Sequence, residues 1–349
     1  MNLALLKKLS EAAGVPGREE KLREIVRAEL KPLVDSLETD VMGNVIGRRK
    51  GKSKTKVMIA AHMDEIGFMV KYIDDKGFLR LQTLGGFDPR QLFAQRVLVH
   101  SRAGDKFRGV LSYTAKPIHM QSPEESKEAP KVENFFVDLG MTVADVKKHI
   151  FIGDMVTMDR TLEPCGDNVI GKSIDNRVGL FVMIEALRAL KKHKVDIYAV
   201  ATVQEEIGLR GATTAAYALN PDIGIALDTT LANDYPGQSD ADAVTRLGHG
   251  AAIKIMDASL ICNPKLVEHL RTIAEREKIP HQMEILPRGG TDGGALQRAR
   301  GGIVSMTLSI PTRYIHTVNE MASLKDIDSA IKLLKTYLSE AHDGVYSLE

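Results

Sequence analysis

Among the side chains whose types hold divalent metals, seven stand out: His62, Asp64, Asp175, Glu205, Glu206, Asp228 and His316. Imidazole and carboxylate suit hard-to-borderline cations such as zinc, cobalt or manganese, and the same ligands accept all three. A two-metal hydrolytic centre holds its ions about 3.5–4 Å apart, so it takes one carboxylate between them and terminal His and carboxylate ligands on each. It also needs a free carboxylate to move a proton. His62, Asp175, Glu206, Asp228 and His316 can supply the ligands, which leaves Glu205 as the base. Asp64, two residues after His62 on an extended chain, points to the same side and can accept the other imidazole N–H, fixing the tautomer. Taken singly, each acid reads more simply as a helix cap or a solvated charge, Asp175 above all because a helical stretch follows it.

Their positions argue otherwise. VMIAA ends in His62-Met63-Asp64, NVIGKS runs into Asp175, and VDIYAVATVQ ends in Glu205-Glu206. DIGIAL ends in Asp228 and GIVSMTLSIPTRYI in His316. Ligands of open α/β sheets bind beyond the carboxyl ends of the strands. With 46 acids and 10 His in the chain, a few coincidences are expected, but not one at each of five successive ends.

The elements that must carry these residues follow from periodicity. Two N-terminal helices are separated by Pro16-Gly17, and after Asn168 apolar runs alternate with helical patterns, which argues a mostly parallel sheet flanked by helices. Between Ile66 and about Asp159 short alternating strands dominate, with TVADVKKHI the one helical stretch. The expected architecture is α/β: a parallel-rich mixed sheet flanked by helices in a discontinuous domain, 1–67 and 163–349, interrupted by a β-rich domain at 68–162. The basic loop GRRKGKSKTK, Gly47 to Lys56, reads as a solvated hairpin tip.

Length and composition bound the rest. A chain of 349 residues suggests roughly two domains at about 150 residues each. Lys plus Arg is 47 against 46 Asp plus Glu, so nothing favours nucleic acid or an anionic membrane surface as partner. Two distant cysteines, Cys165 and Cys262, exclude a disulfide scaffold and a thiolate zinc cluster. No run approaches the 18 apolar residues of a membrane span, and Lys7-Lys8 interrupts the first apolar stretch too early for a signal peptide. A cytoplasmic location is expected.

The segments HMDEIGFMV, GKSIDNRVG, VQEEIGLRGA, ALDTT, GGTDGGALQ and SIPTRYIHT resemble the signature segments of the M42 family of metallo-aminopeptidases, in that family's order and spacing over the whole chain. The resemblance implies removal of N-terminal residues from short peptides by water activated at two divalent ions, zinc or cobalt first and manganese next. It implies that Asp175 bridges the ions, that His62 and Asp228 complete one site and Glu206 and His316 the other, that Glu205 is the general base, and that Asp64 orients His62. It further implies that the β-rich insert is a dimerisation domain and that dimers assemble into a tetrahedral dodecamer.

Three rival readings stand beside it. A deacylase or carboxypeptidase can use a similar two-metal fold. A glycosidase uses paired carboxylates without metal, but adjacent Glu205 and Glu206 face opposite sides of a regular strand, and the chain has no Trp to stack sugars. A non-catalytic assembly protein could retain the ligands without turnover. GGTDGG, Gly289 to Gly294, lacks the features of a nucleotide loop and reads instead as a close backbone approach to the site.

Overall fold

A computed structural model describes residues 1–116, 118–124 and 129–348. Its larger sheet has eleven strands. The four at the centre, Asp196–Thr202, Lys56–His62, Ile223–Leu231 and Val304–Arg313, lie side by side and parallel. Outside them the pairing turns antiparallel, through Val45–Arg49 and Ser36–Thr39 on one side and Glu320–Ser323, Asn168–Gly171 and Glu163–Cys165 on the other. Ala251–Met256 and His281–Ile285 branch from Val304–Arg313. This is the mixed, parallel-rich α/β architecture expected of the sequence.

The central strands are apolar throughout because both of their faces are covered. On one face lies the helix Ile174–Ala189, buried along nearly its whole length because the sheet and the helices Leu3–Glu11 and Leu324–Glu340 enclose it. On the other face the helices Arg210–Leu219 and Asp292–Gln297 come close, since Ala60, Ala226, Ala215 and Ala216 leave room. Register brings the carboxyl ends together: Thr202 pairs with His62, and Asp228 with Ser309.

Six strands between Gly67 and Met158 close into a barrel around Phe68, Val97, Val99, Leu111, Phe135, Val137 and Val156. Closure leaves no open edge in this small sheet. The chain enters the barrel at Gly67, five residues after His62, so the barrel is rooted at the carboxyl end of a central strand. Gly67 is required there: a Cβ would stand 2.4 Å from Val15 Cγ1 and 2.9 Å from the Val156 carbonyl.

The basic loop differs from its expectation. Val45–Arg49 and Lys56–His62 do not form a hairpin, because Asp196–Thr202 lies between them, antiparallel to the first and parallel to the second. The loop therefore crosses the end of that strand. Arg48 pairs with Asp196 at 2.5 Å, and Arg49 donates to the carbonyls of Leu187 and Leu190. The physical reason is the apolar run 57–61: a strand buried on both faces belongs at the sheet centre, with a neighbour on each edge.

Candidate active site

His62 ends its strand with Nε2 3.3 Å from Asp175 Oδ1, 3.7 Å from Asp228 Oδ1 and 3.9 Å from Glu205 Oε2. His316 lies three residues past Val304–Arg313, in a left-handed conformation with φ 63°. Its Nε2 is 3.5 Å from Asp175 Oδ2 and 3.3 Å from Glu206 Oε2. The two oxygens of Asp175 thus face the two imidazoles. His62, Glu205 and Asp228 form one set of close donor atoms, and His62, Asp175 and Glu206 another.

Local backbone explains the convergence. Asp175 is not a helix cap. Ser173 occupies that position, and both Asp175 and Asn176 depart from helical geometry, with a cis peptide between them. Asn176 anchors the kink, donating to the Leu227 carbonyl at 2.7 Å and accepting the Gly179 N–H. Glu205 and Glu206 lie beyond their strand, which ends at Thr202, and Gln204 turns left-handed at φ 55°. Released from strand alternation, both glutamates face the cluster. Asp228 sits inside Ile223–Leu231 rather than at its end.

Asp64 has a broader part than its sequence position suggests. The nearest atom to His62 Nδ1 is its backbone carbonyl, at 3.0 Å, whereas its carboxylate is 3.6 Å away. That carboxylate accepts the N–H of Glu205 on Oδ1 and of Glu206 on Oδ2, each at 3.0 Å. Sequence reasoning missed a matching residue. Glu320, 2 % exposed, accepts the Asp175 N–H at 2.9 Å and the His316 N–H at 2.8 Å. Two buried acids therefore hold the backbones of four cluster residues. An acid four residues after His316 was the available signal, but the loop joining them has no period from which to read it.

Electrostatics single the cluster out. Burial raises the carboxyls of Glu205, Glu206 and Asp228 above their usual range, and the neighbouring acids add to this at all three. Burial also opposes charge on the imidazoles, but the carboxylates outweigh it. Glu205, Asp175 and Asp228 hold His62 well above its ordinary value, and Glu206 and Asp175 push His316 up to about 12. Burial works against ionisation of Asp175 as well, yet His316 and His62 together keep it low. No Lys or Arg among the described residues forms an ion pair with these acids, and Asp175 Oδ1 is buried without a hydrogen-bond partner. Such a concentration of buried carboxylate calls for cations. The donor set, two imidazoles and four carboxylates, fits divalent metals.

The cluster floors a cavity of about 550 Å³, whose far wall is Leu286, Arg288, Gly289, Gly290 and Thr291. This is the close backbone approach expected of GGTDGG. Ser259 packs against it so tightly that a Cβ on Gly294 would stand 2.4 Å from Ser259 Oγ.

Residues 43–333 match the family model described as M42 glutamyl aminopeptidase. The chain belongs to the M42 peptidase family. It is an aminopeptidase, a hydrolase of peptide N-termini, and its family is metal-dependent. A putative aminopeptidase of Acetivibrio thermocellus is 43% identical over 95% of this chain and 96% of its own length. The structure of an aminopeptidase from the archaeon Desulfurococcus kamchatkensis superposes with a TM-score of 0.93 at 42% identity, covering 97% of this chain and 94% of that one. The Pyrococcus horikoshii TET1 peptidase, which assembles into a tetrahedron or a large octahedral shell, gives a TM-score of 0.86 at 29% identity over 97% and 99%. No described helix of this M42 peptidase is long and apolar enough to cross a membrane.

Proposed function

We propose that this M42 aminopeptidase holds two divalent ions, with Asp175 between them, His62 and Asp228 on one and Glu206 and His316 on the other. The observation that carries the reading is the single carboxylate of Asp175, directed at one imidazole through Oδ1 and at the other through Oδ2. A ligating imidazole must be neutral, so ions would take the place of the protons that the acids now hold on His62 and His316. When bound, such ions bring the pKa of water toward about 7 and polarise the scissile carbonyl.

The chain's own residues do the remainder. Glu205, left outside the ligand set, takes the proton of the attacking water and delivers it to the departing amine. Its Oε2 stands 3.9 Å from His62 Nε2, beside the atoms that would hold the ions, which supports this role. Asp64 and Glu320 hold the backbone of the site, so the carboxylates need not reorganise during the reaction. The free amine of the substrate finds its counter-charge in the same acidic cluster, which confines cleavage to the first residue.

We further propose that zinc or cobalt is the native metal, with manganese the alternative, and that the barrel joins two copies of the chain, which assemble as the Pyrococcus horikoshii relative does. Two unpaired cysteines suit a reducing compartment such as the cytoplasm. The test is chelation followed by readdition of each metal, assayed on free-amine aminoacyl substrates and their N-acetylated counterparts. Activity should vanish, return with metal and require the free amine. Hydrolysis indifferent to the chelator, or equal on acetylated substrates, would refute the assignment.

A further inference from the structure

Past Thr202, which forms the last ladder pair with His62, the chain loops through residues 203–209 before the helix Arg210–Leu219 begins. The carbonyls of this loop are met by its own return. Val203 accepts from Gly211, Gln204 from Arg210, and Glu205 from Gly208 and Leu209. Its first four N–H groups are met differently, each by a buried side chain from a remote segment. Val203 donates to Asn44 Oδ1 at 3.0 Å, Gln204 to Glu19 Oε1 at 3.2 Å, and Glu205 and Glu206 to Asp64. Asn44 fastens the neck of the loop, because its Nδ2 also donates to the Gly211 carbonyl at 3.1 Å. Glu19 fastens the pivot, since Gln204 is the left-handed residue, φ 55°, after which both glutamates face the cluster.

A left-handed backbone is unfavourable for a residue with a Cβ and persists only where its surroundings impose it. Glu19 can impose it because it is itself fixed. It is 1 % exposed, immediately before the helix Glu20–Leu30, and the same Oε1 accepts the Gly17 N–H at 2.8 Å. The chain leading to it is tied down as well: Gly14 donates to Glu65 Oε1 at 3.1 Å and accepts the Glu65 N–H at 2.9 Å. Glu206, as a ligand, is also held by what it coordinates. Glu205 stands outside the ligand set and depends on its backbone for direction. We propose that Glu19 is a positioning residue for the general base: by accepting the Gln204 N–H it holds the turn that aims Glu205 into the cluster. The proposal rests on the reading of Glu205 as that base.

Two conservative variants separate reach from charge, assayed with metal present on an aminoacyl anilide. Glu19→Asp keeps the charge but is one methylene too short. Its kcat should fall about 10–100-fold, with KM within about twofold and metal per chain unchanged. Glu19→Gln keeps an acceptor oxygen at the original reach, so its kcat should stay within about threefold of the native chain. In a Glu205→Gln background, Glu19→Asp should cost no more than about twofold, because a residue that acts through the base then has nothing to aim. Native kcat in Glu19→Asp overturns the proposal, as does a Glu19→Gln equally slow, which would make charge the cause. So does loss of metal in Glu19→Asp, or the same loss of rate repeated in the Glu205→Gln background. Failure of the underlying reading looks different: Glu205→Gln alone turns over at a near-native rate.

Discussion

Two buried charged clusters interleave along the stretches 62–65 and 172–177 and have opposite solutions to the same problem. Glu65, 2 % exposed, meets Lys172 Nζ at 2.5 Å and Arg177 Nη2 at 3.4 Å, and Ser173 Oγ donates to it at 2.6 Å. Arg177, fully buried, also donates to the carbonyls of Leu9 and Ala12. Burial alone would raise the Glu65 carboxyl, but Lys172 and Arg177 bring it below its usual range. Among the described residues, the acids around Asp175 form no ion pair with lysine or arginine, only with imidazoles, which can surrender their protons and become ligands. Permanent side-chain cations neutralise the first cluster and make it structural. The second is left short of charge, and that shortage is what a metal centre requires.

Substitutions can break that contrast, and the largest effect is expected at His316. His316→Ala should lose metal together with activity; elemental analysis showing full metal content would remove it from the ligand set. Glu205→Gln should keep metal and fold yet slow turnover by about 10²–10⁴-fold, measured as kcat on an aminoacyl anilide. Near-normal turnover would give the proton transfer to another group. On the compensated side, Arg177→Met should cost about 3–5 kcal/mol in urea unfolding, because Glu65 loses a buried partner. Metal bound per folded chain should stay unchanged, and loss of metal at unaltered stability would erase the distinction between the clusters. Glu320→Gln places an N–H₂ group where Asp175 and His316 need an acceptor. About a 10–100-fold loss of metal affinity is expected, read by chelator competition.

The smallest effect concerns His100, a barrel residue that senses the compensated cluster. Burial, reinforced by Lys21, Lys106 and Lys172, lowers it to about 4, while Glu65 partly opposes this. Its Nε2 faces Thr157 Oγ1 at 2.9 Å. The unfolded chain binds this proton near pH 6.5 and the folded chain only near 4, so stability should fall as pH drops through that window and be unaffected by His100 above it. His100→Asn should flatten that part of a stability–pH curve. An unchanged slope would show that other groups set it.

Much of the site could be read because the ends of apolar runs are visible in a sequence, even where, as at Asp228, the strand itself continues. Apolar runs such as VMIAA and DIGIAL end where polar ligands begin, and a parallel sheet gathers such ends on one side. The turn at Gln204 could not be read so easily. On a regular strand Glu205 and Glu206 diverge, and only the left-handed residue before them sends both inward. Asp175 invited a capping role for a similar reason, since nothing local announces the departure from helical geometry that frees its carboxylate. Glu320 was missed because its function is to accept backbone N–H groups, which residue type does not reveal. The basic loop was misplaced because strand adjacency depends on which neighbours cover an apolar edge, and nothing within residues 47–56 shows this.

By itself the sequence determined the inventory: which residues can ligate, that they follow apolar runs, and that an α/β unit surrounds a β-rich stretch. These are consequences of residue chemistry and periodicity, which act over a few positions. Tertiary structure alone decided that Asp175 stands between two imidazoles, that Asp64 and Glu320 clamp the backbones of four cluster residues, and that Glu19 reaches the turn before Glu205. Those features depend on distances between segments remote along the chain, and such distances are set only when the sheet order and the packing of its faces are complete.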